Sequence, residues 1–314
     1  MYKIVHALFY ALSLLPLRLL YCLSDCGFAL LYYVVRYRRH VVRHNLTSSF
    51  PEKSEKEIRR IERGFYRWFC DYLIEAVKLL SISDSELRRR FRIENAEEVE
   101  HYFRQGQDCA AILGHYCNWE WLSCVGIALP QDRCMGLIYH PLRNAVFDRL
   151  FRDIRSSQPG SVCVPKQDIL RVLVGLRRDG RRNMFGYIAD QGPKWTNIHL
   201  WLPFLGHDTP VFTGAERIMR KMGNAVFYVE MTRPRRGYYT CTFRLITDRP
   251  ASLPEYEVTR RFFRMLEDTI RREPRYYLWS HNRWKRTHEE FDRLFVVDNG
   301  KVVPRPADPS TKDQ

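Results

Sequence analysis

The chain has 314 residues, 45% of them hydrophobic, which is ample for a folded core in one large domain or two small ones. Lys+Arg 51 against Asp+Glu 36 gives a formal net charge of +15, a balance that calls for an anionic partner: nucleic acid, anionic lipid or an acidic protein. Nine cysteines are dispersed without a CxxC pair, which argues against a disulfide framework and for reduced thiols in a cytoplasmic setting.

In chain order, Ile4 to Val35 is dominated by Leu, Tyr, Phe, Ala and Val, interrupted by Arg18 and Asp25. The piece before Arg18 is short for a bilayer, so the segment is expected to cross with a charge tolerated or to lie in the interface as apolar helices. Arg36, Arg38, Arg39 and Arg43 follow at once, and the positive-inside rule then keeps the remainder on the cytoplasmic side. Ser54 to Leu80 has helical periodicity, with Phe65, Trp68, Phe69, Tyr72 and Leu73 on its apolar side.

The run Cys109–Leu113 reads as a short buried strand, and Trp119 to Leu129 as a helix. Between them lies Gly114-His115-Tyr116-Cys117-Asn118. His115 and Glu120 are separated by five positions, about 140° around a continuous helix at ~100° per residue, so they would not share a face there. They meet if His115 sits in the turn and Asn118 caps the helix. A neutral imidazole oriented by a carboxylate is suited to taking a proton from a hydroxyl. Cys117 beside them reads as an inert packed thiol.

Further on, strands are expected at Cys134–Tyr139, Val162–Val164, Met184–Ala189, Ala225–Met231 and Tyr239–Ile246. Helices are expected at Ala145–Ser156, Asp168–Asp179, Gly214–Met222 and Tyr256–Arg272, with Gly180 and Gly223 as C-caps. This alternation gives an α/β fold: a mixed, largely parallel central sheet flanked by helices, with an N-terminal membrane-associated helical segment. The expected divisions are an anchor over 1–40, an α/β domain over 41–300 and a flexible tail over 301–314.

No HExxH or Cys/His spacing indicates a metal, no G-x-S-x-G elbow a serine hydrolase, and no glycine-rich loop a nucleotide. The aromatics fall on apolar faces and no zinc, RNP or helix-turn-helix signal accompanies them, so nucleic acid is not the expected partner. Arg143 and Arg149 flank a strand end, where a guanidinium fork suits a phosphate.

His115-x4-Glu120 after a strand resembles the motif of the late (lauroyl/myristoyl) acyltransferases of lipid A biosynthesis, a branch of the lysophospholipid acyltransferase superfamily. Tyr139-His140-Pro141-Leu142-Arg143-Asn144 is similar to that family's Tyr-Arg-Pro block, with His140 where many members have Arg. Ala189-Asp190-Gln191-Gly192-Pro193 is similar to its Asp-Gln block. Leu202-Pro203-Phe204-Leu205-Gly206, with Thr209 and Thr213 behind, resembles its Pro-Phe-Phe-Gly stretch, with Leu205 where many have Phe. The order and spacing agree over about residues 5 to 290.

The resemblance implies transfer of an acyl chain from acyl-acyl carrier protein, as co-substrate without a further cofactor, to a hydroxyl of an anionic lipid A precursor at the inner membrane. It implies His115 as base and Glu120 as its orienter, Asp190 beside the base or the acceptor sugar, Gln191 beside the acceptor, and Phe204 and Leu205 lining the acyl pocket. An acyltransferase for another bacterial lipid, or a basic membrane-surface binding protein, are the alternatives.

Overall fold

Two apolar helices open the chain, α1 (Tyr2–Leu14) and α2 (Leu17–Ala29), the second running on through a π-helical turn, Leu30–Val34. The computed structural model describes residues 1–128, 133–157, 161–298 and 300–305. Leu17–Val34 is long and apolar enough to cross a membrane, with a mean hydropathy of 1.3. Its outer face shows Leu19, Leu23, Leu30, Val34 and Val35 to the surroundings. The expected apolar segment is thus two helical pieces, divided at Pro16, whose missing N–H cannot continue the hydrogen-bond ladder of α1.

α3 (Arg39–Ser49) leads to α4 (Glu55–Lys78), which begins with a capping box: Glu57 N donates to Ser54 Oγ and Ser54 N to the Glu57 carboxylate. α4 buries Phe65, Trp68 and Tyr72 as its periodicity predicts, while Leu73 is left outward, 39% exposed. α5 (Asp84–Arg90), β1 (Phe91–Glu94) and α6 (Ala96–Arg104) bring the chain to β2 (Cys109–Leu113), buried at every position. A 3₁₀ helix, Trp119–Ala128, replaces the α-helix expected there; Leu129 lies outside the described residues.

Then follow β3 (Cys134–Tyr139), α7 (Ala145–Arg155), β4 (Ser161–Pro165), α8 (Ile169–Arg178) and β5 (Asn183–Ile188). A small hairpin of β6 (Trp201–Phe204) and β7 (His207–Pro210) precedes α9 (Gly214–Met222), the long antiparallel pair β8 (Ala225–Arg235) and β9 (Tyr238–Thr247), and α10 (Glu257–Arg272). The chain closes with α11 (His288–Leu294), β10 (Phe295–Asp298) and β11 (Lys301–Pro304). Residues 301–304 thus form a paired strand where a free tail was expected, and the Pro- and Asp-rich remainder, 306–314, lies outside the described residues. Gly180 and Gly223 have φ of +69° and +64°, the left-handed geometry that ends a helix.

The main sheet runs β1-β9-β8-β2-β5-β3-β4. β8, β2, β5, β3 and β4 are mutually parallel, and β9 with β1 runs the other way. β2 and β5 are therefore central, and their sequences are correspondingly apolar apart from the buried Asn183 that opens β5. α10 shows why: Val258, Phe262, Phe263, Leu266 and Ile270 form one stripe of buried side chains, against a far face rich in arginine. From β2 the chain passes to β3 and β4 on one side and later to β8 on the other. The carboxyl end of β2 is thus the switch point at which open α/β sheets bind ligands.

Candidate active site

Register decides what meets at that point. Leu113 of β2 is level with Ile188 of β5, and the Ala189 amide still donates to the Leu113 carbonyl at 3.0 Å. His115 and Asp190 each lie two residues beyond that level on adjacent parallel strands, which run about 4.8 Å apart. Their side chains accordingly touch: His115 Nδ1 and Asp190 Oδ1 are 2.6 Å apart, and the His115 backbone N–H donates to Asp190 Oδ2 at 3.0 Å. The far side of the loop is fixed by the stretch after α10. Cys117 N donates to the Tyr276 carbonyl at 2.9 Å and Leu278 N to the His115 carbonyl at 3.1 Å. A Cβ at Gly114 would come within 2.8 Å of both terminal methyls of Leu266 on α10, so any larger residue there needs that side chain to shift.

Burial alone would raise the Asp190 carboxyl, but the charge of His115 and its two hydrogen bonds prevail and hold it below the ordinary value. An ionised carboxylate only accepts, so Nδ1 carries the proton and Nε2 the lone pair. Nε2 lies 3.2 Å from the Gln191 side-chain nitrogen, and the Trp119 ring stands edge-on to the imidazole at 5.0 Å. The side chain of His115 is 17% exposed and that of Asp190 2%. This arrangement can act as a general base, with the partner of the imidazole shielded from water and the other ring nitrogen within reach of a ligand.

Comparison with known proteins bears on what such a base serves. The model of the bacterial lipid A biosynthesis acyltransferases matches residues 2–286. The chain belongs to this family. It is similar to the lipid A biosynthesis palmitoleoyltransferase of Escherichia coli (strain K12) and to a lipid A biosynthesis acyltransferase of Shigella flexneri. Each is 23% identical over 251 residues, covering 79% of this chain and 79% of the relative. The protein is thus an O-acyltransferase of the lipid A type.

Within this acyltransferase the carboxylate that touches His115 is Asp190, not the expected Glu120. Both Glu120 oxygens are occupied elsewhere: Arg155 Nε and Nη2 of α7 each donate to the carboxylate at 2.7 Å, and the Tyr72 hydroxyl adds a bond at 3.2 Å. A bidentate guanidinium outcompetes an imidazole for a buried carboxylate, and the 3₁₀ helix turns Glu120 inward towards α4 and α7. Asn118 does not cap that helix; its amide donates to buried Glu75 at 2.8 Å. Cys117 is fully buried and its thiol is pushed well up by that burial, as an inert thiol should be.

Gln191 lies at the base, where it was expected near the acceptor. Arg143 is exposed in the loop before α7. Arg149 has its guanidinium 4.2 Å from the centroid of the Tyr2 ring, so it holds α1. Phe204 and Leu205 are completely buried and offer no open pocket wall as they stand. Phe204 packs edge-on against Phe263 at 5.0 Å. Leu205 and Gly206 form the two-residue turn between β6 and β7, with φ of +53° and +80°, and Glu267 accepts from the Leu205 amide at 2.9 Å. Thr209 accepts from Trp284 Nε1 at 2.8 Å, a packing role.

Sequence reasoning missed Tyr277, His281 and Arg283. All three surround Asp190. Burial, then the charge of Asp190, raise the Tyr277 phenol, and burial brings the Arg283 guanidinium down to about 10. Arg283 donates through Nη2 to the Pro210 carbonyl at 2.7 Å, while its Nε and Nη1 have no hydrogen-bond partner among the described residues. The available signal was a polar triplet, His281, Arg283 and Lys285, interleaved with Trp279 and Trp284 after the last long helix.

Proposed function

We propose that the protein moves a fatty acyl chain from acyl-acyl carrier protein to a hydroxyl of a lipid A precursor at the cytoplasmic face of the inner membrane. The observation that carries this reading is the His115–Asp190 pair at the open end of two parallel strands in a member of this family. His115 Nε2 takes the hydroxyl proton as the oxygen attacks the thioester carbonyl. Asp190 stabilises the imidazolium so formed. Collapse of the tetrahedral intermediate makes the ester and breaks the carbon–sulfur bond. The imidazolium returns its proton to the departing thiolate, so no covalent acyl-enzyme is needed. Gln191 Nε2 is the donor nearest the reacting nitrogen and is well placed for the developing oxyanion. The apolar helices of the first 40 residues serve as anchor, and the positive charge favours an acidic carrier protein.

The test is lipid mass spectrometry of cells with and without the gene, joined to transfer by the purified protein from acyl-acyl carrier protein. Loss of one acyl chain from lipid A, restored by the wild type and not by His115→Ala, is expected. Loss from a different lipid moves the acceptor class, and transfer from acyl-coenzyme A alone removes the carrier protein.

A further inference from the structure

The stretch after α10 carries a buried cation to the back of the site. It is pinned from three sides. Leu278 N donates to the His115 carbonyl, Asn45 Nδ2 of α3 to the Trp279 and His281 carbonyls at 2.8 and 3.0 Å, and Arg283 Nη2 to the Pro210 carbonyl that ends β7. Arg283 is 2% exposed. A Cβ on Gly192 would stand 3.3 Å from Arg283 Nη1, so the guanidinium lies against the loop that carries Asp190 and Gln191. Those two side chains are the ones that meet the ring nitrogens of His115. Among the described residues Nε and Nη1 of Arg283 have no hydrogen-bond partner, and the carboxylate that attracts the guanidinium is Asp190. Burying a cation so incompletely bonded is expensive, and a methionine would fill the same space without that cost. What methionine lacks is the charge.

The groups around Asp190 show what the charge offsets. Asp190 is ionised, and Arg283, though brought down to about 10, is a cation at neutral pH. Burial raises the Tyr277 phenol and lowers His281 to about 4, so both are neutral there. Trp119, Gln191 and Asn45, packed on the same groups, carry no charge. Farther out stand two exposed cations, Lys285 and Arg38, the latter on the Ser280 carbonyl. With His115 neutral, the charges of Asp190 and Arg283 therefore cancel. Without Arg283 a carboxylate would be left alone in the interior. The imidazole 2.6 Å away could then cancel it by taking up a proton. An imidazolium has no lone pair with which to act as a base.

We propose that Arg283 is a positioning residue of the reaction: resting on the acyltransfer reading above, its buried charge balances Asp190 in the resting site, so that His115 stays neutral and free to take the acceptor's proton. The experiment uses the full-length protein in an uncharged detergent. Wild type is compared with Arg283→Gln, Arg283→Met and Arg283→Lys, and with Arg171→Gln, which removes a cation whose side chain is 83% exposed elsewhere. Each is treated over about pH 5–8 with diethyl pyrocarbonate, which modifies only the neutral imidazole. Peptide mass spectrometry gives the rate at His115. The same proteins are assayed over the same interval for transfer from acyl-acyl carrier protein to total lipid extracted from cells lacking the gene.

In the two neutral variants the His115 profile should move to higher pH by about one unit, so that one unit below the wild-type midpoint the residue reacts about tenfold more slowly. The acid limb of the transfer rate should move with it. Arg283→Lys and Arg171→Gln should superpose on wild type in both measurements. A packing role alone would lower the melting temperature and leave the midpoint in place. Neutral variants whose profiles superpose on wild type overturn the proposal, as does an Arg283→Lys profile displaced as far as theirs. Gln keeps a donor for the Pro210 carbonyl and Met keeps only bulk, so one folded neutral variant suffices; if neither folds, Arg283→Lys carries the test. A displaced His115 profile without any acyl transfer by wild type removes the acyltransfer reading alone. His115-dependent transfer with superposed profiles removes the role of Arg283 alone.

Discussion

Two buried carboxylates flank the same loop and have opposite chemistry. Glu120 faces Arg155, a cation that never gives up its proton, in a bidentate pair. Asp190 faces His115, an imidazole with two ring nitrogens that can each hold a proton. The first pair ties the 3₁₀ helix to α7 and has no exchangeable state; the second has the chemistry to accept and return a proton. Proximity in sequence favoured Glu120 as the partner of His115. What separates the two carboxylates instead is the group each one meets.

The largest effect that tests this contrast is expected at the proton-carrying pair. His115→Ala should lower kcat about 10²–10⁴-fold with an unchanged melting temperature, and Asp190→Asn should fall in the same range by losing the tautomer and the imidazolium partner. Near-normal turnover by purified Asp190→Asn would return the orienting role to another group. Glu120→Gln should do the reverse. It leaves Arg155 buried against a neutral amide, so stability should drop by about 3 kcal/mol while kcat of the folded fraction stays within a few-fold. A kcat loss equal to that of Asp190→Asn, at wild-type melting temperature, would erase the distinction.

A smaller effect is expected from pH. Burial pulls His281 from 6.5 down to about 4, against the attraction of Asp190 and with the help of Arg283. The unfolded chain takes up this proton first as pH falls, so the contribution of neutral His281 is complete above pH 6.5 and is lost progressively down to about pH 4. The loss is at most about 3 kcal/mol, and less to the extent that water reaches the ring. His281→Gln should flatten the melting temperature over that interval, and an unchanged slope would assign it to other groups. The smallest effect belongs to Arg149→Ala, which removes the cation–π contact with Tyr2 and should cost about 0.5–1 kcal/mol, read as earlier proteolysis at α1. Exposed Arg143→Ala is the matched control and should cost nothing measurable.

Most elements were legible because their periodicity is strong. Gly214–Met222 and Cys134–Tyr139 have the boundaries that the apolar pattern predicts, and the other main strands and helices agree within a residue or a few. β1, the β6–β7 hairpin and the β10–β11 pair were not legible, since four-residue strands hold too few alternations to stand out. His115 was legible from its place after a buried strand. Asp190 was read as lying beside the base or the acceptor sugar, but its place instead of Glu120 against the imidazole was not legible, because the two meet through the lateral register of β2 and β5 rather than through any local spacing. One clue was present: both residues stand just past the end of an apolar run. Reading it requires knowing that those two strands are neighbours.

Gly114 has a consequence for how this site can change over time. His115 sits on a loop whose preceding residue faces Leu266 of α10, and a Cβ at 114 would come within 2.8 Å of both its terminal methyls. A restrictive letter of the motif is thus a residue with no chemistry of its own. A side chain at 114 is admitted only when Leu266, itself buried in the interior, turns or shortens to make room. Drift in the hydrophobic interior and drift at the loop are therefore linked through one steric contact, and a library that varies residues 114–120 gains by varying Leu266 with them.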